Sequence, residues 1–241
     1  MILEQVLVRP RDGVAMVRCA RVGAAAGLGL DGDRSAARHS PRQVLVVSGA
    51  VLARHGLAAA EVRANLVVTG DVDALPSGTV LGFGGVRIRL TLPCEVCARL
   101  ERVRPGLARA LAGRRGMLGR VLDDGALAVG QVASVAPRAM PALDGDWRAR
   151  VMDVVRQVPR GRVVTTTRLV AIAGVQVTYC RALPTVLGRA PADVAAHLVI
   201  PANLARVSAA QRQRLAAEGV DVDRIAAVAW DGAAYYAASE A

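Results

Sequence analysis

The chain has 241 residues, 53% of them apolar, and a formal net charge of +11 in which every one of the 31 basic residues is arginine. Without a lysine amine, a pyridoxal-phosphate Schiff base, a P-loop lysine and a lysine nucleophile are all excluded. The length and apolar content suffice for one large or two modest cores, and no apolar run approaches the roughly 20 residues that span a bilayer.

The opening, MILEQVLVRPRDG, alternates like a strand and carries Glu4 where a secretory leader would need a basic start, so the expectation is a cytoplasmic protein away from membranes. Strands are expected at residues 1–9, 14–22, 43–48, 65–69 and 79–92, each a short β-branched run between Gly, Pro and Asp. Within the last of these a hairpin is expected around Gly84 and Gly85. Its second arm alternates strictly and sets Arg87 and Arg89 on one face. ERVRPGLARALAGRRG has helical spacing, broken by Pro105 and ended by Gly113 and Gly116. MLGRVLDDGALAVGQVASV returns to strand, with Asp124-Gly125 expected as a hairpin turn. Residues 1–137 thus read as a mostly β domain with a barrel-like sheet.

Residues 138–146 are rich in Pro, Gly, Asp and Ala and read as a linker. Residues 147–237 change character. WRARVMDVVRQVP is helical up to Pro159, RGRVVTTT is strand-like, and TRLVAIAG is a helix ended by Gly174. VTYCRALPTVLGR reads as a helix with Thr178 as N-cap and Pro184 in its interior. SAAQRQRLAAEG is a helix opened by Ser208 and closed by Gly219, and VAWDGAAYY reads as a terminal β piece. Most of the excess positive charge lies before residue 140, and arginine in such excess suits bidentate grip on phosphate or another oxyanion.

Chemistry is best placed at Cys94 and Cys97, which follow a strand and a proline. A thiolate there can carry sulfur or ligate a soft metal, and neighbouring arginines favour the ionised form. The same spacing also fits a buried pair with no chemistry. A structural zinc site would need two more ligands, drawn from Cys19, Cys180 and three histidines.

GLGLDGDRSAARHSPRQVLVVS, RANLVVTGDVDALPSGTVLGFG, LTLPCEVCARL and LAGRRGMLGRVLDDGALAVGQ follow one another over about the first 137 residues. In this order they resemble the landmarks of the molybdenum-cofactor sulfurase C-terminal (MOSC) family. The resemblance implies a β-barrel in which a cysteine carries sulfur or coordinates molybdenum in a pterin cofactor, and some relatives reduce N-hydroxylated bases. Carried onto this chain, the cysteine is Cys97 or Cys94. Cys97 is favoured because its Cys-x-Arg-Leu run resembles the Cys-x-Lys-Leu of single-cysteine relatives. The matching polar positions are Asp33, Arg34, Arg63, Asn65, Arg114 and Arg115, with the arginines expected to clamp the cofactor phosphate and the Asn amide to orient pterin or substrate. Asp33 and Asn65 equally fit a role that only pins turns. Ala64 stands where the family usually has an acid, and Ser35 where it often has His, with His39 close behind.

DWRARVMDVVRQVPRGRVVTTTRLVAIAG, HLVIPANLARV and LAAEGV resemble the C-terminal domain of O6-alkylguanine-DNA alkyltransferases and of alkyltransferase-like proteins. That resemblance implies a winged-helix-like DNA reader. Arg181 matches the arginine that replaces a flipped base, and Thr166 stands where a tyrosine is expected. Ala202 and Asn203 replace the acceptor cysteine and the histidine base, so alkyl transfer has neither acceptor nor proton shuttle, whereas binding of DNA or a modified nucleobase is retained as an expectation.

The reading is an α+β protein: a β-barrel domain with molybdenum cofactor or carried sulfur at Cys97, then a non-catalytic alkyltransferase-like domain. A redox partner or sulfur donor is implied. Two alternatives stand beside it, a damage-binding protein without turnover and a biosynthetic sulfur transferase.

Overall fold

The computed structural model describes residues 1–10 and 15–240, so position 14 of the expected strand 14–22 lies outside the described residues. The chain divides into two compact units, Met1–Leu143 and Asp144–Ala241.

The first unit contains strands β1 (Leu3–Val8), β2 (Val17–Cys19), β3 (Arg21–Ala25), β4 (Gly29–Leu30), β5 (Val44–Ser48), β6 (Leu66–Val68), β7 (Val80–Phe83), β8 (Val86–Pro93), β9 (Met117–Val121), β10 (Gly125–Ala128) and β11 (Ala133–Ala136). Its helices are α1 (Gly49–His55), α2 (Ala59–Val62), α3 (Ala98–Val103) and α4 (Leu107–Ala110). Eight strands form one sheet in the order β11-β7-β8-β9-β5-β6-β1-β2, and β10-β3-β4 form a second. Pairing is antiparallel except between β5 and β6. The large sheet curls, because the segment before β11 returns to β1 through Leu3 N to Gln131 O at 2.9 Å, Gly130 N to Leu3 O at 2.8 Å and Ala133 N to Met1 O at 2.7 Å.

Period-two alternation gives the sheet two cores. Leu3, Val6, Val44, Val46, Leu66, Val68, Ile88 and Leu90 fill the concave side. Leu7, Leu45, Val47, Val67 and Leu118 face the other side, where they meet Leu52, Val62, Leu100, Leu107 and Leu111. β5 is buried along its whole length for this reason.

One expectation for this unit needs correction. Asp124-Gly125 does not turn a hairpin, since β9 pairs with β5 and β8 while β10 pairs with β3. The aspartates there hold other segments: Asp123 binds Arg87 at 2.9 Å and Asp124 Oδ1 accepts from Ala26 N at 2.8 Å. Arg89 shares its face with Arg87 but is only 1% exposed, with Nη2 donating to Pro141 O at 2.7 Å.

The second unit contains α5 (Trp147–Arg156), β12 (Val164–Thr165), α6 (Thr166–Ile172), α7 (Leu183–Gly188), β13 (Val199–Ile200), α8 (Ala209–Ala217), α9 (Ile225–Val228) and α10 (Ala233–Glu240). Asp146, Thr165 and Ser208 cap α5, α6 and α8 with their side chains. Buried Arg150 braces the unit, donating from Nε to Ala173 O at 2.8 Å and from Nη1 to Asp144 O at 2.6 Å. The single helix expected from Thr178 is instead a 3-10 segment, Val177–Ala182, followed by α7. Pro184 sits in the first turn of α7, where a missing N–H breaks no helical bond. The expected terminal β piece keeps β character only at Ala229, which bridges Val163 in parallel; beyond it Gly232 takes φ +77 and Asp231 Oδ1 accepts from Ala233 N at 2.9 Å, which starts α10. The strands β12 and β13 are two residues each and parallel, so among the described residues this unit has no antiparallel hairpin to serve as a wing.

Candidate functional site

After Pro93 ends β8, the chain turns through Cys94, whose N donates to Gly116 O at 2.8 Å. Cys94 lies within the outer core. Burial pushes its thiol up, opposed in part by Arg115 and Arg42. Arg115 is itself buried. It donates to Cys94 Sγ, to Glu95 O at 2.8 Å and to Val62 O at 3.4 Å. Glu95 also binds Arg42 at 3.0 Å. A buried, enclosed thiol of this kind is a poor nucleophile.

Cys97 differs. It is half-buried at the start of α3, whose Leu100 is fully buried and fixes the helix against the core. α2 packs beside α3 and ends at Arg63, a non-glycine residue at φ +59. That left-handed position costs energy for an arginine, and it projects the side chain outward while Val62 and Ala64 on either side stay buried. Burial, then Arg9 and Arg99, push the Arg63 guanidinium below its ordinary value, and Cys97 opposes them. Burial also pushes Arg9 down, with Asp33 opposing and Arg34 and Arg99 adding to the effect. Arg9, Arg34, Arg63, Arg99 and Cys97 therefore share one electrostatic neighbourhood. A cleft of about 230 Å³ lies there, lined by Arg9, Met16, Glu61, Arg63 and Arg99. Glu61 is engaged by Ala58 N at 2.7 Å, and Arg99 Nε is buried without a hydrogen-bond partner. A larger hollow of about 830 Å³ beside α1 contains no cysteine.

Of the residues singled out from sequence, Arg34 and Arg63 fall in this neighbourhood. Asp33 and Asn65 lie beneath it, with their polar atoms engaged inside the protein. Asp33 accepts from Arg9 N at 2.7 Å and Ser35 N at 2.7 Å. Asn65 donates to Asp33 at 2.8 Å and to Leu7 O at 3.2 Å, and accepts from Leu45 N at 3.0 Å. Arg114 is exposed and pairs with Asp71 at 3.3 Å, while Arg115 points the other way into the core. His39, at φ +57, donates its backbone N to Gly27 O at 2.9 Å and does not line the cleft. Sequence reasoning missed Arg9 and Arg99. Arg99 was within reach, inside the Cys-x-Arg-Leu run, whereas nothing local marks Arg9. Among the described residues no three His, Cys, Asp or Glu side chains gather as a metal site would require.

In the second unit a mainly apolar cleft of about 640 Å³ is lined by Thr166, Val170, Cys180, Leu183, Leu187 and Pro201, among others. Thr166 thus faces the cleft. Arg181 and Ala202 are exposed next to lining residues without lining it themselves. Tyr179, beside Arg181, stacks on Trp147 with ring centres 5.5 Å apart.

The family model for the MOSC domain matches residues 31–134. Residues 31–134 form a MOSC domain. This span holds Cys94, Cys97, Arg34, Arg63, Arg99 and Arg115, while Arg9, the residue after β1, lines the same cleft from outside the matched stretch. Solved structures similar to the chain include the YUAD protein from Bacillus subtilis, at 18% identity over 56% of this chain and 95% of that one, with a TM-score of 0.49. YiiM from Escherichia coli is similar at 15% identity over 77% and 92%, with a TM-score of 0.47. YiiM from Geobacillus stearothermophilus is similar at 14% identity over 90% and 96%, with a TM-score of 0.41. No curated protein matches the chain. Among the described residues no helix is long and apolar enough to cross a membrane.

Proposed function

We propose that the MOSC unit holds a molybdenum–pterin cofactor, with Cys97 as the thiolate that ligates the metal or carries a sulfur atom for it. The observation that carries this reading is the half-buried Cys97 beside a cleft lined by Arg9, Arg63 and Arg99. The chemistry of the donors fits the group. A thiolate suits a soft metal, and clustered guanidiniums suit a phosphorylated, anionic cofactor. Four like charges drawn together repel one another, and a bound anion relieves that repulsion. The partnerless Arg99 Nε offers a buried donor to it. When bound, the cofactor supplies two-electron reduction chemistry or a transferable sulfur. The protein's share is to keep Cys97 open, to grip the anionic end through Arg9, Arg63 and Arg99, and to hold both in register through Asp33 and Asn65. N-hydroxylated bases are the substrate class for the reductive form of this reading.

The test is cofactor retention. The purified protein is incubated with molybdenum cofactor and desalted, and bound pterin is read by fluorescence in the wild type and in Arg63→Glu and Arg99→Glu. Retention by the wild type and at least tenfold loss in both variants is the expected result.

A second reading concerns Asp144–Ala241. We propose that its apolar cleft, with Thr166 at its wall and Arg181 nearby, takes a modified nucleobase, presented free or flipped from DNA. What favours it is a volume of about 640 Å³ enclosed mainly by aliphatic side chains. On this reading the protein acts as a damage-binding module, with or without turnover at Cys97.

A further inference from the structure

Arg115 was expected to touch the cofactor directly, but its guanidinium faces inward. Its relative exposure is 8%, and every acceptor it reaches belongs to one of two segments. Cys94 Sγ and Glu95 O lie on the loop that leads to Cys97. Val62 O is the last residue of α2, immediately before Arg63. No carboxylate accepts from it in any of these contacts. A buried guanidinium is costly to desolvate, and an aliphatic side chain would fill the same space without that cost, so its value here lies in what it ties together.

The base of this strut is fixed independently. Gly116 takes φ +93, and a Cβ there would collide with Val46 O and the Val47 side chain. Asp73 Oδ1 accepts from Gly116 N at 2.7 Å, and Arg114 is drawn outward to Asp71. The turn at 114–116 is thereby pinned to β5 and to the 71–74 segment. From that anchored backbone, Arg115 reaches past the edge of the core to two segments that have no strand pairing of their own at these positions. One carries the thiol. The other carries Arg63 in its left-handed conformation.

We propose that Arg115 is a positioning residue that sets the distance between Cys97 and Arg63, and so the reactivity of the Cys97 thiol. The inference rests on Cys97 being the working thiol of the MOSC unit, but its test needs no cofactor. Arg115 touches neither substrate nor cofactor. It acts through Val62 and the 94–97 loop.

The experiment measures the second-order rate of Cys97 alkylation by iodoacetamide in the full chain, followed by mass spectrometry of the Cys97 peptide across pH 6–9. Wild type is compared with Arg115→Met, Arg115→Lys and Cys94→Ala, and thermal midpoints are recorded alongside. The expected result is a slowing of at least threefold near neutral pH in both Arg115 variants, because the 94–97 loop and the end of α2 are no longer held at their native spacing. Lysine keeps the charge but cannot span acceptors on two segments, so it is not expected to rescue. Cys94→Ala, which removes one acceptor and leaves Arg115 in place, is expected to slow alkylation less, in the same direction. Should Arg115→Met fail to fold, Arg115→Lys and Cys94→Ala carry the test. A lowered thermal midpoint with an unchanged rate would overturn the proposal, as would a faster rate, the mark of a loop merely opened to solvent. Rescue by lysine would also overturn it, by making the effect one of charge. Inorganic pyrophosphate is then added to the wild type: absence of protection at Cys97 speaks against the anion-binding reading of the cleft, and leaves the Arg115 comparison intact.

Discussion

Asn65 Nδ2 donates to Asp33 Oδ2 at 2.8 Å in the interior of the first unit, joining the segment that carries Arg34 to the one that carries Arg63. The same asparagine accepts from Leu45 N and donates to Leu7 O. Asn65→Leu would leave the Leu45 N–H, the Leu7 carbonyl and the Asp33 carboxylate short of a partner. Each orphaned group costs on the order of 1 kcal/mol or more, so a loss of about 2–4 kcal/mol is expected in urea unfolding of the full chain. A loss below about 1 kcal/mol would show that water replaces these contacts.

Gly116 and Gly113 separate steric from conformational cost. Both have positive φ, but a Cβ at Gly116 meets backbone and at Gly113 meets open space. Gly113→Ala is expected to cost about 1 kcal/mol, from the left-handed backbone alone. Gly116→Ala is expected to cost about 3 kcal/mol or more. Denaturant midpoints of the two variants provide the comparison.

Asp73 gives a pH signature. Burial pushes its carboxyl above the ordinary range, opposed by the Gly116 N–H, and its Oδ2 is buried without a partner. A raised folded-state value means that the folded protein holds the proton more tightly than the unfolded chain. The resulting stability is full below the ordinary carboxylate range and is lost as pH rises through the folded value. Asp73→Asn keeps an acceptor for Gly116 and removes this dependence. Its stability relative to wild type is therefore expected to rise between pH 4 and pH 7.5, by no more than about 1 kcal/mol because the site is partly exposed. Thermal midpoints at the two pH values read the sign.

The second unit's cleft is tested by filling it. Thr166→Trp is expected to weaken binding of a short duplex containing an O6-alkylguanine at least tenfold in fluorescence anisotropy, with Arg181→Ala weakening it comparably. Unchanged affinity in Thr166→Trp would move any DNA contact off this cleft.

The strands of the first unit were legible because side chains alternate across a two-sided sheet, as with Val44 and Val46 on one side and Leu45 and Val47 on the other. Partners were less legible. Asp124-Gly125 has good local turn chemistry, but the curl of the sheet, a long-range property, sends β9 and β10 to different neighbours. Alternation placed Arg87 and Arg89 on one face but could not say that the face becomes buried within a few residues. In the second unit, Tyr235 and Tyr236 give residues 228–236 a strand-like look. Ala229 does bridge Val163, but from Ala233 onward the Asp231 cap and the alanines decide for helix, with Tyr236 OH anchored on Ile172 O at 2.7 Å. At the site, Cys97 and Arg63 lie in recognisable segments. Arg9 joins them only through folding, and the inward turn of Arg115 depends on the Gly116 backbone that sequence marks merely as a glycine.

The most direct test of the central claim is the molybdenum content of the freshly purified protein, measured by plasma mass spectrometry beside Cys97→Ser and Cys94→Ser. Near-stoichiometric molybdenum in the wild type, retained in Cys94→Ser and lost in Cys97→Ser, is the predicted result. Molybdenum held equally well by Cys97→Ser, or by no form of the protein even after incubation with the cofactor, would contradict it.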